Sequence, residues 1–105
     1  MSGYTVIFTN NTELAEFEAL NKGYRNDVFV KIDEDYYNLR VYDIVRLKQD
    51  FESEMEDYGY YSVEPNLVLV TEVTTDNILK IISQLYEDGY FNHLKPVNKS
   101  LFNFD

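Results

Sequence analysis

The chain lacks most of the residue patterns on which catalytic and metal sites are built. It contains no cysteine, which excludes disulfide bonds and thiolate metal sites, and its one histidine, His93, is a poor basis for a zinc site. Its four glycines are far apart, so there is no glycine-rich loop for binding phosphate. No serine stands in a G-x-S-x-G setting, and no H-E-x-x-H motif occurs. These absences predict a protein that is not an enzyme and that holds no metal or cofactor.

Basic residues are scarce. Nine Lys and Arg residues stand against 19 Asp and Glu residues, which gives a formal net charge of −10. Because like charges repel the phosphate backbone, we expect no direct binding to nucleic acid. The same charge attracts a basic protein surface and speeds encounter with it. Acidity that serves only solubility is the alternative interpretation.

Long apolar segments are also missing. No apolar run approaches the length that spans a membrane, so we expect no membrane segment. The first residues contain no basic segment followed by an apolar stretch, so we expect no signal peptide and, by default, a cytoplasmic protein. The 105 residues, 45% of them hydrophobic, predict one folded domain over residues 1–105. Residues 98–105 form a tail that either docks loosely or frays.

The stretch Leu67–Gly89 predicts a buried strand that leads directly into a helix. Residues 67–70 form a continuous apolar run, which is typical of a strand covered on both faces. Thr74 can cap the following helix, whose isoleucines and leucines recur at helical spacing. Gly89 can end the helix in a left-handed conformation.

Hydrophobic periodicity predicts the other elements. Strands are expected at 4–9, 27–33 and 36–41, and helices at 12–22 and 44–58. The apolar side chains expected to face inward are Leu14, Ala15, Phe17 and Leu20 in the first helix, and Ile44, Leu47, Phe51, Met55 and Tyr58 in the second.

The order of these elements predicts an α+β fold. It matches the βαββαβ ferredoxin-like arrangement, an antiparallel sheet with helices on one face, with a C-terminal helix added. One feature conflicts with this topology, in which the last strand lies at the sheet edge, because here the last strand is the most apolar. Either the added helix covers this strand, or the strand is central and the topology differs.

One cluster of residues is a candidate site. Residues 50–64 include six acidic residues and no basic residue, and tyrosines interrupt the acids. Tyrosine offers a large contact area with a polar tip and is frequent at binding hot spots, and acids around it suit a lysine- or arginine-rich target. A solvated acidic face is the alternative interpretation. The candidate partner-binding residues are Asp50, Glu54, Glu56, Asp57, Tyr58, Tyr60 and Tyr61.

In size, charge and lack of catalytic motifs, the chain resembles small acidic bacterial immunity proteins, which block toxin enzymes such as nucleases. The resemblance implies an inhibitor that occludes a basic protein partner through the acidic helix and its tyrosines. Two alternatives remain open: a DNA mimic whose carboxylates take the place of phosphates, and a ferredoxin-like domain that dimerises through its sheet and senses a small ligand. The first two functions need a contiguous acidic patch, and the third needs an exposed sheet face. The sequence allows a monomer or a homodimer.

Overall fold

The computed structural model describes residues 3–97 and shows an α+β fold built on a four-stranded mixed sheet. Its strands and helices are β1 (Tyr4–Phe8), α1 (Glu13–Lys22), β2 (Tyr24–Ile32), β3 (Asp35–Tyr42), α2 (Ile44–Tyr58), β4 (Leu67–Leu69) and α3 (Thr75–Glu87), followed by a 3₁₀ helix at Tyr90–His93. The prediction of a tail at 98–105 concerns residues outside the described range. Each helix in the described range is too short or too polar to cross a lipid bilayer.

The strands lie in the sheet in sequence order, β1-β2-β3-β4. The first two pairs are antiparallel, whereas β3 and β4 are parallel and are connected through α2. The α+β class is therefore confirmed, but the prediction of a fully antiparallel sheet is wrong for the β3–β4 pair. In a split βαβ arrangement another strand would separate the two strands that a helix connects. Here β1 and β2 are direct neighbours, as are β3 and β4, so the ferredoxin-like topology is not confirmed.

β4 is a short edge strand. Val68 packs against the core, whereas the side chain of Leu69 is 47% exposed. Successive side chains of a strand point to opposite faces. One face of β4 therefore packs on the core, and the other face, which carries Leu69, is open to solvent. The prediction of a strand covered on both faces is therefore wrong.

The core lies on the sheet face that α3 covers. The fully buried side chains, which come from β2, β3, α3 and the segment before α3, are Val28, Val30, Leu39, Val41, Val73, Ile78 and Ile82. The helix begins where it was predicted to begin, because the hydroxyl of Thr74 accepts a hydrogen bond from the N–H of Asn77 at 3.2 Å. The apolar face of α3 therefore fills the space above the sheet.

α1 contacts the same face of the sheet as α3, and it does so through its small side chains. Ala19 belongs to the core and Ala15 is half-buried, whereas Leu14, Phe17 and Leu20 are exposed. The prediction that these three larger side chains face inward is wrong. The alanines lie on the side of the helix that approaches the sheet, and this orientation turns the larger apolar side chains outward.

α2 lies against the opposite face of the sheet. Tyr42 alternates with Val41 along β3, so its side chain points away from the core. The ring of Tyr42 packs on that of Tyr24 at a centroid distance of 4.7 Å, and the guanidinium of Arg46 in α2 lies 5.2 Å from the Tyr24 ring. The prediction that all helices lie on one face is therefore wrong.

The inward side of α2 is also not the predicted one. None of the residues Ile44–Tyr58, all of which the structure describes, is buried. The half-buried residues of this helix are Arg46, Leu47, Asp50 and Glu54. Of the predicted inward stripe, only Leu47 is among them. The contact with the sheet is therefore made mainly by polar groups that meet tyrosine side chains, and the apolar stripe is turned toward solvent.

Candidate functional site

A cleft of about 320 Å³ lies between α2, the outer face of β3 and the loop that follows α2. We call it the tyrosine cleft; its lining residues are Arg40, Tyr42, Asp50, Glu54, Tyr58, Tyr60, Tyr61, Ser62, Glu64 and Leu67. Five of the seven residues predicted from the sequence to bind a partner line this cleft. The other two, Glu56 and Asp57, are exposed on α2 outside it.

The two ends of α2 fix the helix beside the sheet. At its start, Oδ1 of Asp43 accepts a hydrogen bond from the N–H of Arg46 at 2.8 Å, and the N–H of Asp43 donates to the carbonyl of Gly23 at 2.9 Å. At its end, Gly59 has a φ of 80°, and its N–H donates to the carbonyl of Met55. Glycine adopts this left-handed conformation without a steric penalty, so the chain reverses here and starts the second wall of the cleft.

The loop that forms this second wall is held at its far end. The amide of Asn66 donates to the carbonyl of Asn38 at 3.1 Å, and the N–H of Arg40 donates to the carbonyl of Asn66 at 3.0 Å. The hydroxyl of Tyr90, in the 3₁₀ helix, donates to the carbonyl of Pro65 at 2.8 Å. The loop is therefore attached both to the sheet and to the 3₁₀ helix.

The floor of the cleft is a buried tyrosine beside an ion pair. Tyr42 is only 3% exposed, and Nε of Arg46 lies 3.1 Å from Oδ1 of Asp50. Burial raises the pKa of the Tyr42 hydroxyl to about 12; Arg40 acts in the opposite direction, and Asp50 adds to the rise. The hydroxyl therefore stays protonated at neutral pH.

Carboxylates outnumber cationic groups in the lining of the cleft, with Asp50, Glu54 and Glu64 against Arg40. Burial raises the pKa of the half-buried Tyr61, and Arg40 opposes this rise. Three carboxylates of the cleft add to the rise, those of Asp50, Glu54 and Glu64. The negative charge that disfavours a tyrosinate at this position favours a bound cation.

Two of these three carboxylates already have a cationic partner. Nη1 of Arg40 lies 2.6 Å from Oε1 of Glu64, and Asp50 pairs with Arg46. Among residues 3–97, no such ion pair reaches Glu54, which is half-buried in the wall of the cleft. Glu54 is therefore the carboxylate that is available to an incoming cation.

The tyrosines occupy two levels of the cleft. Tyr58 and Tyr60 are 68% and 67% exposed, so their rings stand at the mouth, whereas Tyr42 and Tyr61 lie deeper. The face of an aromatic ring attracts ammonium and guanidinium groups. Rings at the mouth and a carboxylate within the wall form a suitable receptor for a cationic side chain.

Several lining residues were not predicted. The alternation of the predicted strand at 36–41 places Arg40 on the side opposite Leu39 and Val41. The predicted strand ends at Val41, so it does not include Tyr42, which also lines the cleft. Leu67 comes beside Arg40 because the two residues are partners in the parallel β3–β4 pair. The sequence shows that β4 is a strand but not which strand it pairs with, so it contains no signal for this contact.

No group of three or more side chains able to hold a metal ion is found among residues 3–97. Comparison of the chain with known protein families, with curated proteins and with solved structures finds no match.

Proposed function

We propose that this protein binds and occludes a basic protein partner, and that a lysine or arginine side chain of the partner enters the tyrosine cleft. The observation that supports this proposal best is the position of Glu54, a half-buried carboxylate without an ion pair among residues 3–97, in a cleft with tyrosines at its mouth. The partner is a basic enzyme, such as a toxin, whose functional surface the bound protein covers. Inhibition by coverage needs no catalytic group and no cofactor.

A cation should be bound more strongly in the cleft than beside an exposed carboxylate. An exposed ion pair contributes about 0–1 kcal/mol, because water screens it. Glu54 is half-buried, so its attraction to a cation is screened less. A tyrosine ring adds about 0.5–1 kcal/mol at an exposed site and up to about 2 kcal/mol where water is excluded. Together these contributions make one cationic side chain an effective anchor.

The net charge supports the same function at longer range. A formal charge of −10 on 105 residues attracts a basic protein before contact and raises the association rate. This attraction weakens as salt concentration rises, because the Debye length falls to about 10 Å at 0.1 M. Fast association is valuable for an inhibitor that must reach its target before the target acts.

The two alternative functions have less support. A DNA mimic needs a regular row of free carboxylates along α2, but Asp50 is paired with Arg46. A ferredoxin-like dimer that senses a ligand needs an open sheet face, and α2 lies against one end of the outer face, near Tyr42. Affinity capture separates both alternatives from the first proposal.

The test is affinity capture from a lysate of the source organism with the wild type, Glu54→Lys and a matched control, Glu87→Lys. Glu87 is exposed at the end of α3, on the other side of the sheet, so its variant has the same net charge without altering the cleft. We expect a basic protein to be retained by the wild type and by Glu87→Lys, and its affinity for Glu54→Lys to fall by about tenfold or more. Tenfold corresponds to about 1.4 kcal/mol.

Circular dichroism establishes that all three proteins are folded. Equal retention by Glu54→Lys and the wild type would show that the cleft is not the binding surface. Retention of an acidic protein, or of a protein that binds DNA and is released by DNA, would favour the alternatives.

A further inference from the structure

α2 carries an exposed apolar ridge on one side, which the exposed Lys48 interrupts between Ile44 and Phe51. The α2 ridge consists of Ile44, Phe51, Met55 and Tyr58, whose side chains are 64%, 47%, 40% and 68% exposed. Their spacing of seven, four and three residues places them on one side of the helix. At 1.5 Å per residue, the ridge is about 21 Å long.

The ridge belongs to the surface and not to the core. The line of α2 that faces the sheet is the neighbouring one, which includes Arg46 and Asp50. Phe51 makes an edge contact with Tyr61 at a centroid distance of 6.4 Å, so the ridge borders the tyrosine cleft. Phe51, Met55 and Tyr58 follow one another at intervals of four and three residues, and exposed apolar patches mark sites of interaction.

Acidic side chains flank the C-terminal half of the ridge on both sides. Consecutive residues of a helix are separated by about 100° of rotation. Glu54 therefore lies on one flank of Met55, toward the cleft, whereas Glu56 lies on the other, and Glu52 lies on that same flank beside Phe51. The ridge thus combines an apolar centre with negative charge on either side.

This combination selects one kind of occupant. A second copy of the chain would bring acids against acids, at a net charge of −10 for each copy. An amphipathic helix with apolar residues at intervals of three and four and with Lys or Arg on its flanks matches both the centre and the edges. We propose that the α2 ridge docks such a basic amphipathic helix of the partner, with one flanking cation reaching Glu54 in the cleft. This inference rests on the proposed function and specifies the structural element that is bound.

The test uses a displayed library of peptide helices of about three heptads. One side of each helix varies between aliphatic and polar residues, and both flanks vary between basic and acidic residues. Selection on the wild type, with counter-selection on Phe51→Asp, should enrich helices that have an aliphatic side and basic flanks. Enrichment of basic peptides without an aliphatic side, or absence of enrichment over the counter-selected protein, would overturn the inference.

Affinities of the enriched peptide for single variants locate the binding surface. Phe51→Asp and Met55→Asp should each weaken binding by about tenfold or more, which is about 1.4 kcal/mol. The matched control is Phe17→Asp, because Phe17 of α1 is also an exposed apolar side chain, at 64%, and its variant should bind like the wild type. Equal weakening by Phe17→Asp would assign the effect to the charge of the protein and not to the ridge.

The two proposals can fail separately. If Glu54→Lys abolishes capture of the basic partner while Phe51→Asp and Met55→Asp do not affect it, the cleft binds the partner and the helix inference is wrong. If a peptide with an aliphatic side and acidic flanks binds as tightly as the basic one, charge has no role, and the proposed function is also contradicted. If sedimentation shows a dimer that Phe51→Asp dissociates, the occupant is a second copy.

Discussion

α2 and α3 have similar sequences in pattern but opposite positions in the molecule. Both are amphipathic, and both begin at a side-chain cap. A side-chain oxygen of Asp43 caps α2, and that of Thr74 caps α3. In α3 the apolar side chains Ile78 and Ile82 are each 1% exposed. In α2 the apolar stripe lies in solvent except for Leu47, and the other side chains that face the sheet are polar.

The difference comes from the connection that each helix makes. α3 follows the edge strand β4 and folds over the sheet face that carries Val28, Val30 and Leu39. α2 connects the parallel strands β3 and β4 across the other face, where it meets Arg40 and Tyr42. A helical apolar pattern therefore shows that one side of a helix can be buried, but the pairing of the strands decides whether the rest of this chain buries it.

The largest expected effect tests this difference directly. Ile82→Ala should lower the free energy of unfolding by about 2–5 kcal/mol, because it leaves a cavity in the core. Phe51→Ala removes a larger side chain but should lower it by less than about 1 kcal/mol, because Phe51 is 47% exposed. Urea unfolding measures both values. A loss of several kcal/mol for Phe51→Ala would place the α2 ridge inside the core.

Local signals made most of the secondary structure predictable. The predicted helix at 44–58 coincides with α2, and Thr74 caps α3 as predicted. The lining of the cleft was predictable in part, because Tyr58, Tyr60 and Tyr61 are close in sequence to Asp50 and Glu54.

What depends on tertiary pairing could not be predicted in this way. The alternation of residues 36–41 does not specify that β3 has β4 as a parallel neighbour, and the apolar stripe of α2 does not specify that it faces solvent. Arg40 and Leu67 share the cleft only because of that pairing. The orientation of α1 about its own axis was weakly predictable from the sequence, because Ala15 and Ala19 also lie four residues apart on one side of the helix.

A pH experiment examines the polar side of α2. The folded state holds the pKa of Tyr42 at about 12, above the ordinary value of about 10, so the folded protein keeps this proton longer than the unfolded chain. The resulting stability is fully present below pH 10 and is lost as the pH rises from 10 to 12. The slope is up to about 1.4 kcal/mol for each pH unit in this range.

Tyr42→Phe is the control, because it keeps the ring against Tyr24 and removes the titrating group. Thermal unfolding of both proteins should be measured from pH 9 upward; subtracting the variant cancels the titration of the other tyrosines. The wild type should lose stability faster than Tyr42→Phe above pH 10. Parallel curves would show that Tyr42 is not protected by its position under α2.

The smallest expected effect concerns the acidic end of α2. Its last turn contains no basic residue, although the negative end of the helix dipole favours one. Asp57→Lys should therefore raise the free energy of unfolding by about 0.3–1 kcal/mol, measured in urea at low salt. Glu87→Lys makes the same change in the last turn of α3 and should give a similar gain.

The two variants should differ in binding even where they agree in stability. The lysine introduced at position 57 is three residues after Glu54, a spacing at which an acid and a base on a helix attract each other. This lysine would pair with Glu54, the carboxylate that the proposed partner would use. Asp57→Lys should therefore weaken partner binding several-fold, whereas Glu87→Lys should leave it unchanged. If Asp57→Lys gains stability and binds at full strength, the acids at this end of α2 do not serve binding. If it gains stability and loses affinity, the chain keeps an unfavourable helix end because a partner needs its charge.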